Sequence, residues 1–163
     1  MRMQRTAYRV PRNSVKRDGR KAEIRSKERS RAFVVPEVMA WSGVAEYVSE
    51  LLRPGTILAI SGELGAGKTT FIQALTKTLG IKKVPPSPTF SLMRSYRLPK
   101  TFNGIRRIIH VDAYRFDDER ELVVLDLDEE LADGSSVLVI EWPEKMPKWL
   151  KKKKADLVQM EIA

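Results

Sequence analysis

A short glycine-rich segment offers the clearest chemistry in this chain. Residues Gly62 to Thr69 match the pattern G-x-x-x-x-G-K-[ST]. Glycines permit backbone conformations that other residues resist, so that amide N–H groups can close around phosphate oxygens. Lys68 can reach the β- and γ-phosphates of a nucleotide, and Thr69 offers a hydroxyl to Mg²⁺. The segment therefore predicts a nucleoside triphosphate site lined by Gly62, Glu63, Leu64, Gly65, Ala66, Gly67, Lys68, Thr69 and Thr70.

The residues on either side of this segment predict the elements that must position it. Residues 56–61 are a continuous apolar run that predicts a buried strand. Residues 68–79 place Ile72, Leu75 and Leu79 on one helical face, and Gly80 follows as a natural stop. A strand, a glycine loop and a helix in this order are the arrangement in which the motif binds phosphate.

Two acids follow further apolar runs and are candidates for the same site. Glu141 comes directly after the run 137–140, which predicts a second buried parallel strand. A carboxylate there can hold Mg²⁺, directly or through water, although a surface Glu at a strand end is the alternative. Asp112 ends the run 108–111 and reaches the same sheet edge if its strand is parallel and adjacent. It could then orient water or support Mg²⁺, or it could cap a helix or pair with Arg115.

The remaining elements are predicted from turns and periodicity. They are a strand at 33–35, a helix beginning at a Ser42 cap, a hairpin of strands 90–97 and 105–112 turning at Asn103-Gly104, an acidic helix over 117–131, and a last strand with Val158, Met160 and Ile162 on one face. Pro85, Pro86 and Pro88 predict a rigid loop. We expect an α/β fold of three layers, with a mixed, largely parallel sheet between helices.

The net charge of +9 is confined to one part of the sequence. Residues 1–31 hold 12 Lys and Arg against three acids, whereas the rest holds 18 of each sign. We therefore divide the chain into a basic, disordered arm over 1–31 and a domain over 32–163. The arm could contact RNA phosphates; a solvated tail, a misassigned start codon and a transit peptide are the alternatives. There is no cysteine and no long apolar run, so we expect a cytoplasmic protein.

Four motifs in a fixed order make the chain recognisable. They are Gly62-Glu63-Leu64-Gly65-Ala66-Gly67-Lys68-Thr69-Thr70, Ser87-Pro88-Thr89-Phe90, His110-Val111-Asp112-Ala113-Tyr114-Arg115 and Ile140-Glu141-Trp142-Pro143-Glu144. This series resembles the TsaE family, also called YjeE, over roughly residues 34–162. The apolar spacers Val111 and Ala113 stand where the family often has bulkier residues.

The resemblance implies a P-loop NTPase-like fold and a specific role for each motif. The family binds and hydrolyses ATP with Mg²⁺ and works with the TsaD and TsaB proteins, which modify the tRNA adenosine next to the anticodon. By this resemblance, Lys68, Asp112 and Thr89 are catalytic, with Thr89 a switch element near the γ-phosphate. Thr69 and Glu141 would hold the metal. Trp142 is a family feature whose role, packing or partner contact, stays open.

Two other classes of function share the phosphate-binding motif. A small-molecule kinase needs an acceptor pocket and an arginine-bearing lid, for which residues 94–107 are the one candidate. A non-enzymatic switch would need the nucleotide only to order a docking surface. No residue is an obvious arginine finger: Arg94, Arg97, Arg115 or a partner could supply it. We therefore expect slow hydrolysis in isolation and faster hydrolysis in a complex.

Overall fold

Seven strands form one mixed sheet in the computed structural model, which describes residues 19–27, 29–35, 40–83, 92–153 and 157–163. The strands are β1 (Arg20–Arg25), β2 (Ser30–Val35), β3 (Ile57–Gly62), β4 (Met93–Phe102), β5 (Ile105–Asp112), β6 (Ser136–Glu141) and β7 (Leu157–Ile162). The helices are α1 (Trp41–Leu51), α2 (Lys68–Thr78), α3 (Leu127–Leu131) and α4 (Pro147–Lys152), with 3-10 helices at Glu119–Leu125 and Pro143–Lys145.

The order of strands across the sheet is β2-β1-β7-β3-β6-β5-β4. The four strands β7, β3, β6 and β5 are parallel to one another, whereas β1, β2 and β4 join by antiparallel pairing. Because parallel strands end at the same edge, the glycine loop after β3 lies on the edge where Glu141 ends β6 and Asp112 ends β5.

Helices cover both faces of the sheet, which confirms the three-layer α/β prediction. Alternate residues of β3 and β6 point to opposite faces, so both strands are buried along their apolar length. On one face, Leu58 and Val139 pack in a core cluster with Val48 of α1 and Phe71 of α2. On the other, Ile57, Leu138 and Ile140 pack with residues of the 3-10 helix, α3 and α4.

The prediction of a disordered arm over 1–31 is wrong from residue 20 onward. β1 pairs in antiparallel register with β2 on one side and with β7 on the other. Ala22 and Ile24 are 1% and 0% exposed, so β1 contributes to the main core despite its charged neighbours. The hairpin therefore belongs to the folded domain. Residues 1–18 of the predicted arm lie outside the described residues.

Two helix predictions also need correction. The N-cap of α1 is Ala40, not Ser42, because the fully buried Trp41 already belongs to the helix. The acidic stretch is not one helix: a 3-10 helix and α3 meet at Asp126, whose φ of 42° is left-handed.

The Asn103-Gly104 turn between β4 and β5 is confirmed, with positive φ at both residues. Within the described residues, the structure contains no helix of the length and apolarity that crossing a membrane requires.

Candidate active site

The glycine loop lies between β3 and α2 and depends on glycine at defined positions. Gly62, Gly65 and Gly67 have φ angles of 145°, 80° and 106°, which residues with a side chain rarely adopt. A Cβ at Gly62 would lie 2.4 Å from the backbone oxygen of Ile162 in β7. The loop backbone can therefore lie against the sheet only because position 62 has no side chain.

Lys68, the first residue of α2, is turned back over the loop. Its Nζ donates hydrogen bonds to the backbone oxygens of Gly62 at 2.6 Å and Glu63 at 2.8 Å. The same atom lies 3.8 Å from the ring centroid of Trp142, a cation–π distance. Burial lowers the pKa of Lys68, and the nearby carboxylates, Glu141 first, oppose that shift. The ammonium is thus held partly out of water at the sheet edge.

Thr69 and Glu141 are in direct contact. Thr69 Oγ1 lies 3.2 and 3.1 Å from the two carboxylate oxygens of Glu141, to which it donates. His110 Nε2 lies 2.8 Å from Glu141 Oε1, and both side chains are almost fully buried. Because an ionised carboxylate only accepts, His110 donates from Nε2. Two donors from different elements therefore fix the orientation of Glu141.

Asp112 lies beside Glu141 at the ends of two paired strands. The two residues are partners in the parallel register of β5 and β6, and Asp112 is only half-buried. Its Oδ1 accepts a hydrogen bond of 3.1 Å from the backbone N–H of Tyr114. The Tyr114 ring in turn lies 4.9 Å from that of Trp142. Asp112 thus presents a carboxylate at an accessible point of the same edge.

The structure brings together most of the residues that the sequence singled out. Lys68, Thr69, Asp112 and Glu141 converge at one edge, and the condition set for Asp112, a parallel strand next to β6, is met. Thr89 lies in 84–91, outside the described residues, so its role stays a prediction. Leu64 is 75% exposed at the tip of the loop.

Two residues of the site could not be assigned from sequence. The sequence alone gave His110 no catalytic role, yet its side chain donates a hydrogen bond to Glu141. Trp142, in left-handed backbone at φ 62°, lies under the Lys68 ammonium. Their one sequence signal was position, since each is next to a strand end that carries a candidate acid. Arg94, one of the residues considered as an arginine finger, is the register partner of His110 in the antiparallel pairing of β4 with β5.

Comparisons with known proteins concern the family to which this chain belongs. The model of the family "Threonylcarbamoyl adenosine biosynthesis protein TsaE" matches residues 35–163. The tRNA threonylcarbamoyladenosine biosynthesis protein TsaE of Bacillus subtilis is 33% identical over 71% of this chain and 68% of its own length. The protein of that name from Streptomyces coelicolor is 45% identical over 60% of this chain and 63% of its own.

A solved structure has a similar fold. The crystal structure of YdiB from Bacillus subtilis superposes with a TM-score of 0.51 at 28% identity, covering 69% of this chain and 64% of that one. The chain thus spans slightly less than two thirds of some of these proteins, and the part that matches the family model contains the glycine loop and both acids. On this evidence, the chain belongs to the TsaE family of tRNA threonylcarbamoyladenosine biosynthesis proteins.

Proposed function

We propose that this protein binds and hydrolyses ATP with Mg²⁺, as an accessory subunit that supports tRNA N6-threonylcarbamoyladenosine modification by TsaD-like and TsaB-like partners. One observation carries the catalytic part of the proposal: Lys68, Thr69, Glu141 and Asp112 meet at the carboxyl edge of the parallel strands. Family membership carries the pathway. The partners are inferred from the family resemblance alone.

The glycine loop fits a triphosphate by its shape and by its charge. Three glycines with positive φ lie just before the N-terminus of α2, where backbone N–H groups lack helical partners. Lys68 is a partly desolvated cation that now donates to two backbone oxygens. Phosphate oxygens are stronger acceptors for an ammonium than backbone carbonyls are, so we expect Lys68 to turn to the β- and γ-phosphates.

Thr69 and Glu141 fit a magnesium site that a nucleotide completes. Adjacent oxygen ligands of an octahedral Mg²⁺ are about 2.9 Å apart, given metal–oxygen bonds of about 2.0–2.1 Å. The contacts of 3.1 and 3.2 Å between Thr69 Oγ1 and Glu141 are close to that separation. Among the residues described, no cluster of three or more His, Asp and Glu could hold a metal by itself. When bound with the nucleotide, Mg²⁺ would neutralise charge on the phosphates.

Asp112 is the residue best placed to act on water. It is half-buried, next to Glu141 in the strand register, and fixed by the Tyr114 N–H. We assign it to orienting the attacking water and receiving a proton, while Lys68 stabilises negative charge on the phosphates. Thr89 is expected to act near the γ-phosphate. An arginine from a partner is expected to accelerate the reaction.

Hydrolysis of ATP by the protein alone, then with its proposed partners and tRNA, tests the central claim. We expect slow Mg²⁺-dependent release of phosphate that rises in the complex. Lys68→Ala, Asp112→Ala and Glu141→Ala should each reduce it, whereas Glu50→Ala, an exposed carboxylate of α1, should not. High turnover that partners leave unchanged would contradict the proposal.

The kinase alternative is weakened by the structure of its one lid candidate. Residues 94–107 form part of the hairpin of β4 and β5, paired within the sheet. Labelled ATP with a panel of nucleoside and metabolite acceptors separates the two functions. A phosphorylated acceptor would favour the kinase, and free phosphate alone favours hydrolysis.

The switch alternative makes a different prediction for the acids. If Lys68→Ala abolished support of tRNA modification while Asp112→Ala and Glu141→Ala left it intact, nucleotide binding alone would suffice. The proposal requires that all three variants lose that support.

To test whether the basic arm contacts tRNA, the deletion must be shorter than residues 1–31. Removing β1 and β2 would expose the edge of β7 and disturb the fold. Deletion of 1–18, which holds six Lys and Arg against one acid, avoids that damage. If the arm binds phosphates, the deletion should weaken tRNA affinity and reduce its dependence on salt. Equal affinity at all salt concentrations would exclude the contact.

A further inference from the structure

The N-terminal hairpin brings an arginine to the glycine loop. β1 runs antiparallel to β7, and the end of β7 pairs with the end of β3, where the loop begins. Gly62 and Ile162 are register partners there. The first residue of β1, Arg20, therefore lies at the edge of the sheet that carries the candidate active site.

Arg20 contacts the loop at two neighbouring positions. Its Nη2 donates a hydrogen bond of 3.2 Å to the backbone oxygen of Gly65. Its Nη1 lies 3.2 Å from the point that a Cβ at Gly67 would occupy, and Trp41 Cζ2 lies 3.4 Å from that point. Trp41 is itself fixed edge-on against Phe71 of α2 at a centroid distance of 5.6 Å. Gly67 thus lies close to the guanidinium of Arg20 and the indole of Trp41.

Arg25, the other arginine of β1, makes a different kind of contact from Arg20. Arg25 lies exposed at the far end of the strand and pairs with Glu23, a half-buried residue of the same strand. Arg20 instead reaches 45 positions along the sequence to a backbone oxygen of the loop. β1 also lies outside the residues that the family model matches, which begin at 35. Arg20 therefore lies outside the segment that matches the family model, whereas the loop that it contacts lies inside it.

A guanidinium suits this place for a physical reason. A loop that presents its N–H groups to an anion turns carbonyl oxygens outward, and an outward carbonyl needs a donor. A guanidinium offers several donors in a rigid fork and stays charged at all physiological pH values. One side chain can thus hold the outer side of the loop and add a positive charge beside the bound phosphates.

We propose that Arg20 is a positioning residue that clamps the glycine loop through the Gly65 carbonyl and raises its affinity for a nucleoside triphosphate. The gain in affinity rests on the proposed function, whereas the clamp itself does not. Ordering of the loop before binding reduces the conformational entropy lost on binding, and the positive charge favours the triphosphate.

The binding test uses the full chain with ATP and Mg²⁺ in four forms: wild type, Arg20→Ala, Arg20→Lys and Arg25→Ala. We expect about three- to tenfold weaker binding in Arg20→Ala, from the loss of one exposed charge-assisted hydrogen bond. Arg20→Lys, which keeps the charge but not the fork, should fall between, and Arg25→Ala should match wild type. The melting temperature without nucleotide should fall by no more than about 2–4 °C in Arg20→Ala, as expected for one hydrogen bond, so that global unfolding does not account for the weaker binding.

Amide hydrogen exchange across 62–69 in the nucleotide-free protein tests the clamp independently of ATP. Exchange should be faster in Arg20→Ala than in wild type and unchanged in Arg25→Ala. Unchanged exchange in Arg20→Ala would overturn the clamp, and wild-type affinity in Arg20→Ala would overturn its effect on binding. If the wild type itself bound no nucleotide while Arg20→Ala still loosened the loop, the proposed function would fail and the clamp would stand.

Discussion

Replacing His110 by alanine should damage both the stability and the metal dependence of this protein, for one reason. His110 is 2% exposed and donates to the buried Glu141 at 2.8 Å. The variant leaves the carboxylate with the Thr69 hydroxyl as its remaining side-chain donor among the described residues. Both the free energy of unfolding and the orientation of Glu141 depend on this contact.

The size of the stability effect can be worked from the geometry. A hydrogen bond to a charged partner contributes about 1.5–3 kcal/mol, and the space left by the ring adds roughly 1 kcal/mol. We therefore expect the free energy of unfolding to fall by about 3 kcal/mol. At about 2–4 °C per kcal/mol for a domain of this size, the melting temperature should fall by about 6–12 °C.

Under the proposed function, in which Glu141 holds Mg²⁺, the same contact also orients a metal ligand. A residue that orients a metal ligand typically changes metal affinity by about 10–100-fold when it is removed. The Mg²⁺ concentration for half-maximal ATP hydrolysis should therefore rise by at least about tenfold in His110→Ala. A titration of phosphate release against Mg²⁺, at a temperature where the variant is folded, measures this change.

Val139→Ala provides a matched control. Val139 is the register partner of His110 on β6 and is fully buried, but it does not hydrogen-bond Glu141 through its side chain. It should lower the melting temperature and leave the Mg²⁺ dependence at the wild-type value. The reasoning is refuted if His110→Ala keeps wild-type Mg²⁺ dependence, or if Val139→Ala shifts it equally.

Three further outcomes follow from the structure. Gly62→Ala should lower the free energy of unfolding by at least about 2 kcal/mol, since its Cβ would meet a β7 backbone oxygen at 2.4 Å and its φ is strained; a urea denaturation curve matching wild type would contradict this. Because Trp142 lies 3.8 Å from the Lys68 ammonium, ATP with Mg²⁺ should change the tryptophan emission of wild type more than that of Trp142→Phe, and an unchanged wild-type signal would argue against nucleotide reaching this lysine. Hydrogen bonds from Arg120 lower the pKa of Asp118 from 3.8 to about 2. The ionised Asp118 therefore stabilises the fold above pH 3.8, and this stabilisation is lost as the pH falls through about 2. In Arg120→Ala, an NMR titration of the Asp118 carboxyl should show its pKa return toward 3.8.

Local sequence was sufficient for the part of the site that depends on backbone conformation. The glycine loop has its glycines where φ is positive, and residues 137–140 form a strand because an apolar run of this length must be buried on both faces. Parallel pairing of β5 and β6, which local patterns allowed but did not require, then placed Asp112 next to Glu141.

The first hairpin could not be predicted because its stabilising contacts are distant in sequence. β1 shows alternation at Ala22 and Ile24, but these two side chains stand among four charged ones. Charge suggested a solvated arm, whereas pairing with β7 buries both apolar residues. His110 and Trp142 were missed for the same reason, since their partners come from other elements.

The place of β7 in the sheet has a consequence for synthesis on the ribosome. β7 is the last strand in sequence, yet it lies between β1 and β3, and its Ile162 backbone lies against Gly62. The first hairpin cannot join the sheet, and the glycine loop lacks one of its walls, until the final strand has left the ribosomal exit tunnel. Nascent chains stalled at increasing lengths should therefore protect the hairpin and the loop from protease only after β7 has emerged, so that the candidate site depends on β7 to form.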